Sequence, residues 1–139
     1  MSAKIKLARQ FIEAIPHSRI LGMRLKDLGE GFAVIEMPYS EDLIGDPETK
    51  VIHGGAVSAL MDTCCGAAAL GHPSNLGSTA TIDLRIDYMR AAVPGQTIVA
   101  RAECYHVTRS VAFVRASAMD DDRDHPVATA TGAFTMEGK

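Results

Sequence analysis

The sequence predicts an α+β fold in which a curved antiparallel sheet wraps around one long central helix. Three observations support this prediction. Two segments carry apolar residues at helical spacing, four later segments alternate apolar and polar residues, and turn-forming residues separate those later segments. The chain has 139 residues, a length typical of one domain with a single core. We therefore assign residues 1–139 to one domain.

The amino-terminal part predicts a helix followed by a hairpin. The helix covers residues 3–15 and ends at Pro16, which cannot continue it. Its apolar positions are Ile5, Leu7, Ala8, Phe11, Ile12 and Ile15. Strands are expected at residues 23–28 and 32–38, and Gly29-Glu30-Gly31 between them can supply the positive φ angles of a tight turn.

A loop over residues 40–52 leads to the central helix, which is predicted from His53 to Leu70. One face of this helix is apolar and suited to packing on a sheet, whereas the other carries small residues around a single carboxylate, Asp62. The small residues are Gly55, Ser58, Ala59, Cys65, Gly66 and Ala69. A buried, unpaired charge is costly, so a carboxylate at this position favours a function over a structural ion pair.

After a loop at residues 71–78 the apolar period changes from 3.6 to 2. The expected strands cover residues 79–88, 97–107, 110–119 and 127–136. Because turns join the strands, the sheet should be antiparallel. The acidic run from Asp120 to Asp124 lies between the last two strands. It lacks the glycine and the final glutamate of an EF-hand, so we predict a solvated hairpin tip there.

Composition excludes several classes of partner. The net charge of −3 argues against nucleic acid, since binding phosphates needs a basic surface. The longest segment without charged side chains, residues 63–82, is broken by Gly, His, Pro, Ser and Asn, so no membrane partner is expected. The three cysteines lack metal-ligand spacing, which predicts no metal, and reduced thiols suit the cytoplasm. Cys64 and Cys65 are predicted as core residues rather than nucleophiles.

Three motifs stand around the central helix. They are His53-Gly54-Gly55, Asp62 seven residues after the second glycine, and Thr81-Ile82-Asp83-Leu84 followed by Tyr88-Met89-Arg90. In these motifs, and over nearly the whole chain, the sequence resembles the hotdog-fold thioesterases, specifically the PaaI-like acyl-CoA thioesterases.

This resemblance implies hydrolysis of an acyl-CoA thioester, with Asp62 as general base or nucleophile. It assigns the backbone N–H groups of Gly54 and Gly55 to polarising the thioester carbonyl. It further implies that His53 shapes the site and that Thr81 helps to place water or substrate. Coenzyme A is part of the substrate, so no separate cofactor is implied.

The helix start independently suits this chemistry. Its first N–H groups have no partner within the helix and lie at the positive end of the helix dipole, and glycine lets a substrate approach closely. A simple helix start is the alternative for Gly54 and Gly55, and a histidine that only caps the backbone is the alternative for His53. The chain departs from the family at Pro47, where related enzymes often carry Asn or Gln.

Binding of coenzyme A phosphates would require cations, and Arg90 and Arg109 with Ser110 lie at strand ends or turns. Exposed arginines on a sheet edge are the alternative interpretation. Two other functions also stay open. One is a hotdog hydratase or dehydratase, for which no Asp-to-His loop-and-helix motif is present, and the other is a non-catalytic acyl-CoA binding module, for which Pro47 is the one hint. The acyl group is not fixed by the sequence.

The spacing within the helix predicts a homo-oligomer. Gly54 and Asp62 are eight positions apart, or about 12 Å at a rise of 1.5 Å per residue, which is too far to act on one carbonyl. Two antiparallel helices from twofold-related subunits would bring Asp62 of one opposite Gly54 of the other. We expect at least a dimer, and a tetramer built as a dimer of dimers.

Overall fold

The computed structural model describes residues 3–138, without the side chains of residues 3–5, 7 and 11. Its elements are α1 (Ala3–Ala14), α2 (Pro16–Ile20), β1 (Arg24–Gly29), β2 (Phe32–Met37), a 3-10 turn (Glu41–Leu43), α3 (Gly54–Leu70), β3 (Thr81–Tyr88), β4 (Ile98–Val107), β5 (Val111–Met119) and β6 (Ala128–Thr135). The side chains of Ile5, Leu7 and Phe11, which the periodicity assigns to the apolar face of α1, lie outside the described part.

The strands form one six-stranded sheet in the order β1-β2-β4-β5-β6-β3, and every neighbouring pair is antiparallel. The sheet curves around α3, so the predicted fold class is confirmed. The first hairpin turns at Gly31, which has a φ of 74°, a value that glycine adopts at low cost. β3 follows α3 along the chain and joins the far side of the sheet beside β6.

The inner face of the sheet is built mainly from alanine. The strand alanines that belong to the buried core are Ala33, Ala100, Ala102, Ala112, Ala116, Ala118, Ala128 and Ala130. These short side chains let α3 lie close to the strands. The Sγ of Cys64 lies 3.3 Å from the carbonyl oxygen of Ala33 and 3.4 Å from that of Ala100. Packing against this face therefore fixes the position of α3, and with it the position of Asp62.

Most helix and strand ends lie within one residue of the predicted bounds, and two features differ by more. Pro16 ends α1 as expected, but it also begins the short α2, because its fixed φ suits the first position of a helix. Five residues are too few to show a helical period. The ladder of β3 begins at Thr81 rather than at residue 79, because the N–H of Ala80 bonds the side-chain oxygen of Thr135 instead of a strand carbonyl.

β3 forms one edge of the sheet. Ile82 and Tyr88 on this strand and Met89 just after it are 54%, 52% and 60% exposed. An edge strand presents unpaired backbone groups, and exposed apolar side chains on it indicate a surface suited to pairing.

Across residues 3–138, no helix combines the length and the apolar character needed to span a bilayer.

Candidate active site

The start of α3 presents one free backbone donor. His53 is the N-cap residue, and its Nδ1 accepts a hydrogen bond of 2.7 Å from the N–H of Gly55. The N–H of Ala56 donates to the carbonyl of His53. The N–H of Gly54 is the exception, because no acceptor for it lies among residues 3–138. Of the backbone N–H groups near Gly54 and Gly55 that the resemblance assigns to the carbonyl, the N–H of Gly55 is engaged by His53 and the N–H of Gly54 is left for a ligand.

The same hydrogen bond determines the tautomer of the His53 ring. Since Nδ1 accepts a hydrogen bond from the N–H of Gly55, it carries no proton itself, and the ring proton of a neutral His53 sits on Nε2. A Cβ at position 55 would lie 2.9 Å from Nδ1, so glycine is what allows this close cap. His53 thus caps and supports the start of α3.

Asp62 lies two turns into α3 and is partly buried. Its Oδ1 accepts a hydrogen bond of 2.7 Å from Oγ1 of Thr81, the first residue of β3. Within the described chain no Lys, Arg or His forms an ion pair with it, and no donor bonds its Oδ2. The structure therefore unites Asp62 and Thr81 and leaves one carboxylate oxygen open.

The small-residue face around Asp62 is narrower than predicted. Cys65 and Ala69 are fully buried and belong to the core side of α3, because the curved sheet covers more of the helix than its periodicity suggests. Burial, with a smaller contribution from the charge of Asp62, raises the pKa of Cys65 to about 12, and burial raises that of Cys64 as well. Both thiols are protonated at neutral pH, which confirms them as core residues.

Two hydroxyl groups meet the first carbonyl of α3. Tyr88, the last residue of β3, donates a hydrogen bond of 2.8 Å to the carbonyl oxygen of Gly54, and Ser58 donates one of 3.1 Å to the same atom. The two hydroxyls also contact each other. The sequence motifs include Tyr88 without a role, and Ser58 was predicted only as one of the small residues around Asp62. Only the spacing of four between Gly54 and Ser58 hinted at a shared contact.

An apolar cavity of about 270 Å³ opens beside the helix start. Its walls include Val51, Gly54, Val57, Tyr88 and Arg90. Cavities with mainly apolar walls and a few polar groups are typical of small-molecule sites.

Arg90 is engaged elsewhere, contrary to its candidacy for coenzyme A. Its guanidinium makes a bidentate ion pair with Asp120, with N···O distances of 2.7 and 2.6 Å. Its remaining N–H groups donate to the carbonyls of Ala91 and His125, so all five donors are used. Arg90 therefore has no N–H group left for a coenzyme A phosphate, although it forms part of the cavity wall.

The same ion pair corrects the prediction for the acidic run. Asp120 is fully buried rather than solvated, and it also accepts hydrogen bonds from the N–H groups of Val93 and Asp122. The hydrogen bonds from Arg90 hold the pKa of Asp120 well below its usual range. Asp121 to Asp124 are exposed, as predicted.

Arg109 and Ser110 form the turn between β4 and β5, and both are exposed. Along the sheet, Val111 pairs with Thr135 and Thr81 pairs with Phe134, so this turn lies at the end of the sheet where Thr81 meets Asp62. Within residues 3–138 the guanidinium of Arg109 has no hydrogen-bond or ion-pair partner. The structure thus separates Arg109 from Arg90, which follows the opposite end of β3.

The family model of the thioesterase superfamily matches residues 49–127, more than half of the chain. The protein belongs to the thioesterase superfamily. The match includes α3, β3, β4 and β5, and with them His53, Gly54, Asp62 and Thr81. The predicted resemblance to hotdog-fold thioesterases is confirmed.

Known proteins are similar to this chain over most of their own length. The Escherichia coli protein YigI, a medium/long-chain acyl-CoA thioesterase, is 23% identical over 94% of this chain and 91% of YigI. A Pseudomonas aeruginosa protein of solved structure is 40% identical, with a TM-score of 0.83 over 94% of this chain and 97% of that one.

Two further solved structures share the fold at lower identity. Escherichia coli PaaI, from the phenylacetic acid degradation operon, is 22% identical with a TM-score of 0.83, over 96% of this chain and 92% of PaaI. A hypothetical thioesterase from Streptococcus pneumoniae, solved with coenzyme A, is 17% identical with a TM-score of 0.73, over 84% of this chain and 87% of that one. The PaaI-like architecture is therefore shared by this chain.

Proposed function

We propose that this member of the thioesterase superfamily hydrolyses acyl-CoA thioesters to a carboxylic acid and free coenzyme A. One observation carries the proposal: Asp62 is a partly buried carboxylate with no cation beside it in the described chain, held through one oxygen by Thr81. A carboxylate held in this way is suited to removing a proton from water or to attacking a carbonyl.

In the proposed reaction Thr81 and Asp62 hold a water molecule, and Asp62 accepts its proton as the water oxygen attacks the thioester carbon. The N–H of Gly54 stabilises the negative charge that develops on the carbonyl oxygen, aided by the positive end of α3. The C–S bond then breaks, and the departing thiolate takes the proton from Asp62. If Asp62 is instead the nucleophile, an acyl anhydride forms first and water hydrolyses it. Neither route needs a resident cofactor.

We propose that the active site forms between two copies of the chain. Gly54 and Asp62 are about 12 Å apart along α3 and cannot act on one carbonyl. Tyr88 ties Gly54 to one end of β3, and Thr81 ties Asp62 to the other. Antiparallel pairing of this exposed edge strand with its twofold copy brings Thr81 of one subunit beside Tyr88 of the other, and so Asp62 opposite Gly54. A tetramer would be a dimer of such dimers.

The apolar cavity beside Gly54 supports an apolar acyl or pantetheine portion in the substrate. YigI acts on medium and long acyl chains, whereas PaaI comes from an operon for an aromatic acid, so both substrate types belong in the test. We assign Arg109 and Ser110 to the phosphates of coenzyme A, and we place the activity in the cytoplasm.

Thiol release from aryl, short-chain and medium-chain acyl-CoAs tests the reaction. Hydrolysis predicts one free thiol and one acid per turnover. A hydratase or dehydratase would change the acyl chain without thiol release, and a binding module would hold acyl-CoA without turnover. Either result contradicts the proposal. Single-turnover labelling in heavy-oxygen water separates the two routes, because a nucleophilic carboxylate exchanges its own oxygen.

Gly54 offers a matched pair of variants. It is the first residue of α3, where proline is well tolerated, and an added Cβ would lie 3.5 Å from the Tyr88 ring, an ordinary contact. Gly54→Pro removes the backbone N–H, whereas Gly54→Ala keeps it. We expect kcat to fall about 10² to 10³-fold in the proline variant and by much less in the alanine variant. Equal losses would contradict the role of the N–H.

Subunit mixing tests the shared site. Asp62→Asn and Gly54→Pro subunits should each be nearly inactive alone. If the two residues act across the interface, a dimer with one subunit of each variant contains one intact site and one doubly altered site. About half of the dimers in an equal, random mixture are of this kind, so activity should return to about a quarter of wild type. No recovery, despite exchange confirmed by mass, would show that both residues act within one subunit. Light scattering of the active protein should give at least a dimer.

A further inference from the structure

Two hydroxyl groups that have no assigned part in the reaction donate hydrogen bonds to the carbonyl oxygen of Gly54. Tyr88 reaches it from the end of β3, and Ser58 reaches it from the next turn of α3. The two hydroxyls contact each other, so the three oxygens form one connected group. Tyr88 is half-exposed, and water could satisfy its hydroxyl equally well. The contact therefore adds orientation rather than rescuing a buried polar group.

This cluster fixes one end of a peptide group whose other end is also held. The carbonyl of Gly54 and the N–H of Gly55 belong to the same peptide plane. Tyr88 and Ser58 bind the carbonyl, and Nδ1 of His53 binds the N–H. The preceding peptide, which carries the N–H of Gly54, has its carbonyl bonded to the N–H of Ala56 at 3.0 Å. The peptide groups before and after Gly54 are therefore both held by hydrogen bonds. This fixes the direction of the Gly54 N–H.

Such restraint matters because the helix begins with two glycines. Each glycine in a helix costs about 0.5–1 kcal/mol relative to alanine through lost backbone entropy, so this turn would otherwise fray. The ring of Tyr88 also lies beside this residue, with two of its carbons 3.5 and 3.6 Å from the position that a Cβ of Gly54 would occupy. A donor that stabilises a developing charge works best when its orientation is set in advance.

We propose that Tyr88, together with Ser58, is a positioning residue that locks the Gly54–Gly55 peptide and thereby aims the Gly54 N–H at the substrate carbonyl. This inference rests on the proposed function. It also gives β3 a double task, because the strand holds Asp62 through Thr81 at one end and Gly54 through Tyr88 at the other. The same strand thus positions both the carboxylate of Asp62 and the backbone N–H of Gly54.

Tyr88→Phe tests the lock, because it removes the hydroxyl and keeps the ring that lines the cavity. We expect kcat to fall about 3- to 10-fold, the effect of one hydrogen bond, with KM changed less than about twofold and Tm nearly unchanged. Tyr39→Phe is the matched control, since Tyr39 also donates a hydrogen bond of 2.8 Å to a backbone carbonyl, that of Lys50. It should leave kcat unchanged.

Ser58→Ala and the double variant show whether the two hydroxyls act as a unit. Because both converge on one carbonyl, the loss in the double variant should be smaller than the product of the single losses. Amide hydrogen exchange by NMR supplies a readout independent of turnover. Exchange at Gly55, whose N–H is bonded to Nδ1 of His53, should accelerate in Tyr88→Phe and stay as in wild type in Tyr39→Phe.

An active wild type with unchanged kcat or unchanged amide exchange in Tyr88→Phe would overturn the positioning role while leaving the proposed function intact. A higher KM with constant kcat would also overturn it, since that result indicates direct binding of substrate by the Tyr88 hydroxyl. A wild-type protein that releases no thiol from any acyl-CoA would instead overturn the proposed function, and with it the inference.

Discussion

Asp62 and Asp120 differ in how many hydrogen bonds their carboxylates accept within the chain. Asp120 is fully buried and accepts four hydrogen bonds, two from Arg90 and one each from the N–H groups of Val93 and Asp122. Asp62 is partly buried and accepts one hydrogen bond within the described chain, from Thr81. One carboxylate is saturated, and the other keeps lone pairs for a visiting molecule.

The difference shows how the fold separates stability from chemistry. A buried ion pair resists disruption because removing one partner leaves an uncompensated charge. A carboxylate with an open oxygen contributes little to holding the chain together, yet it can accept a proton from water. Substitutions at the two sites should therefore move different quantities.

The largest effect is expected for Asp62→Asn. The amide keeps the shape of the side chain and its contact with Thr81, but it cannot act as a base or nucleophile, so kcat should fall by about 10² to 10⁴. Tm should change little, because Asp62 is not part of an ion pair. Steady-state kinetics and a melting curve check both statements. Wild-type turnover in the variant would remove Asp62 from the mechanism.

Arg90→Ala should produce the opposite pattern. It leaves Asp120 buried without its cation, so we expect Tm to fall by about 10 °C or more. At temperatures well below the new Tm, any change in KM should be equal for an acyl-CoA and the matching pantetheine thioester, because all five N–H donors of Arg90 serve the fold and the residue contributes only to the cavity wall. An increased KM for acyl-CoA at unchanged Tm would instead return Arg90 to the coenzyme A site.

The ion pair also predicts a pH dependence of stability. The pKa of Asp120 is lowered in the folded protein relative to the unfolded chain, chiefly by its hydrogen bonds with Arg90. Its contribution is therefore complete above the ordinary carboxyl pKa of about 4, and it is lost as pH falls below that value towards the lowered pKa. The Tm difference between wild type and Asp120→Asn should shrink as pH falls from about 6 to 3. A difference that is constant with pH would contradict this account.

These two carboxylates also show the reach of sequence reasoning. The site around Asp62 was predictable, because helical spacing put one acid among small residues and the His53-Gly54-Gly55 motif marked the helix start. The fold was predictable from the change of period between α3 and β3. The prediction that Asp120 is solvated was wrong, because its partner Arg90 lies thirty residues away in the sequence. An acidic run has the same sequence pattern whether one of its side chains is buried or all of them are exposed. The Tyr88 contact with Gly54 is equally non-local.

The smallest effect concerns Arg109, which extends the comparison from carboxylates to guanidinium groups. Arg90 has every donor engaged, whereas the exposed Arg109 has no partner in the described chain and stands at the end of the sheet where Thr81 meets Asp62. If it binds a phosphate of coenzyme A, Arg109→Ala should raise KM about 3- to 10-fold for every acyl-CoA, because one charge-assisted hydrogen-bond site is lost. The matching pantetheine thioesters lack that phosphate and should be hydrolysed as by wild type.

Added salt should reduce the difference in KM for acyl-CoA between Arg109→Ala and wild type, since mobile ions screen an exposed pair. Arg123→Ala, at the exposed tip between β5 and β6, is the matched control for loss of a surface charge. Equal losses on acyl-CoA and pantetheine thioesters would show that Arg109 acts on the acyl portion or on the fold, and not on the phosphate.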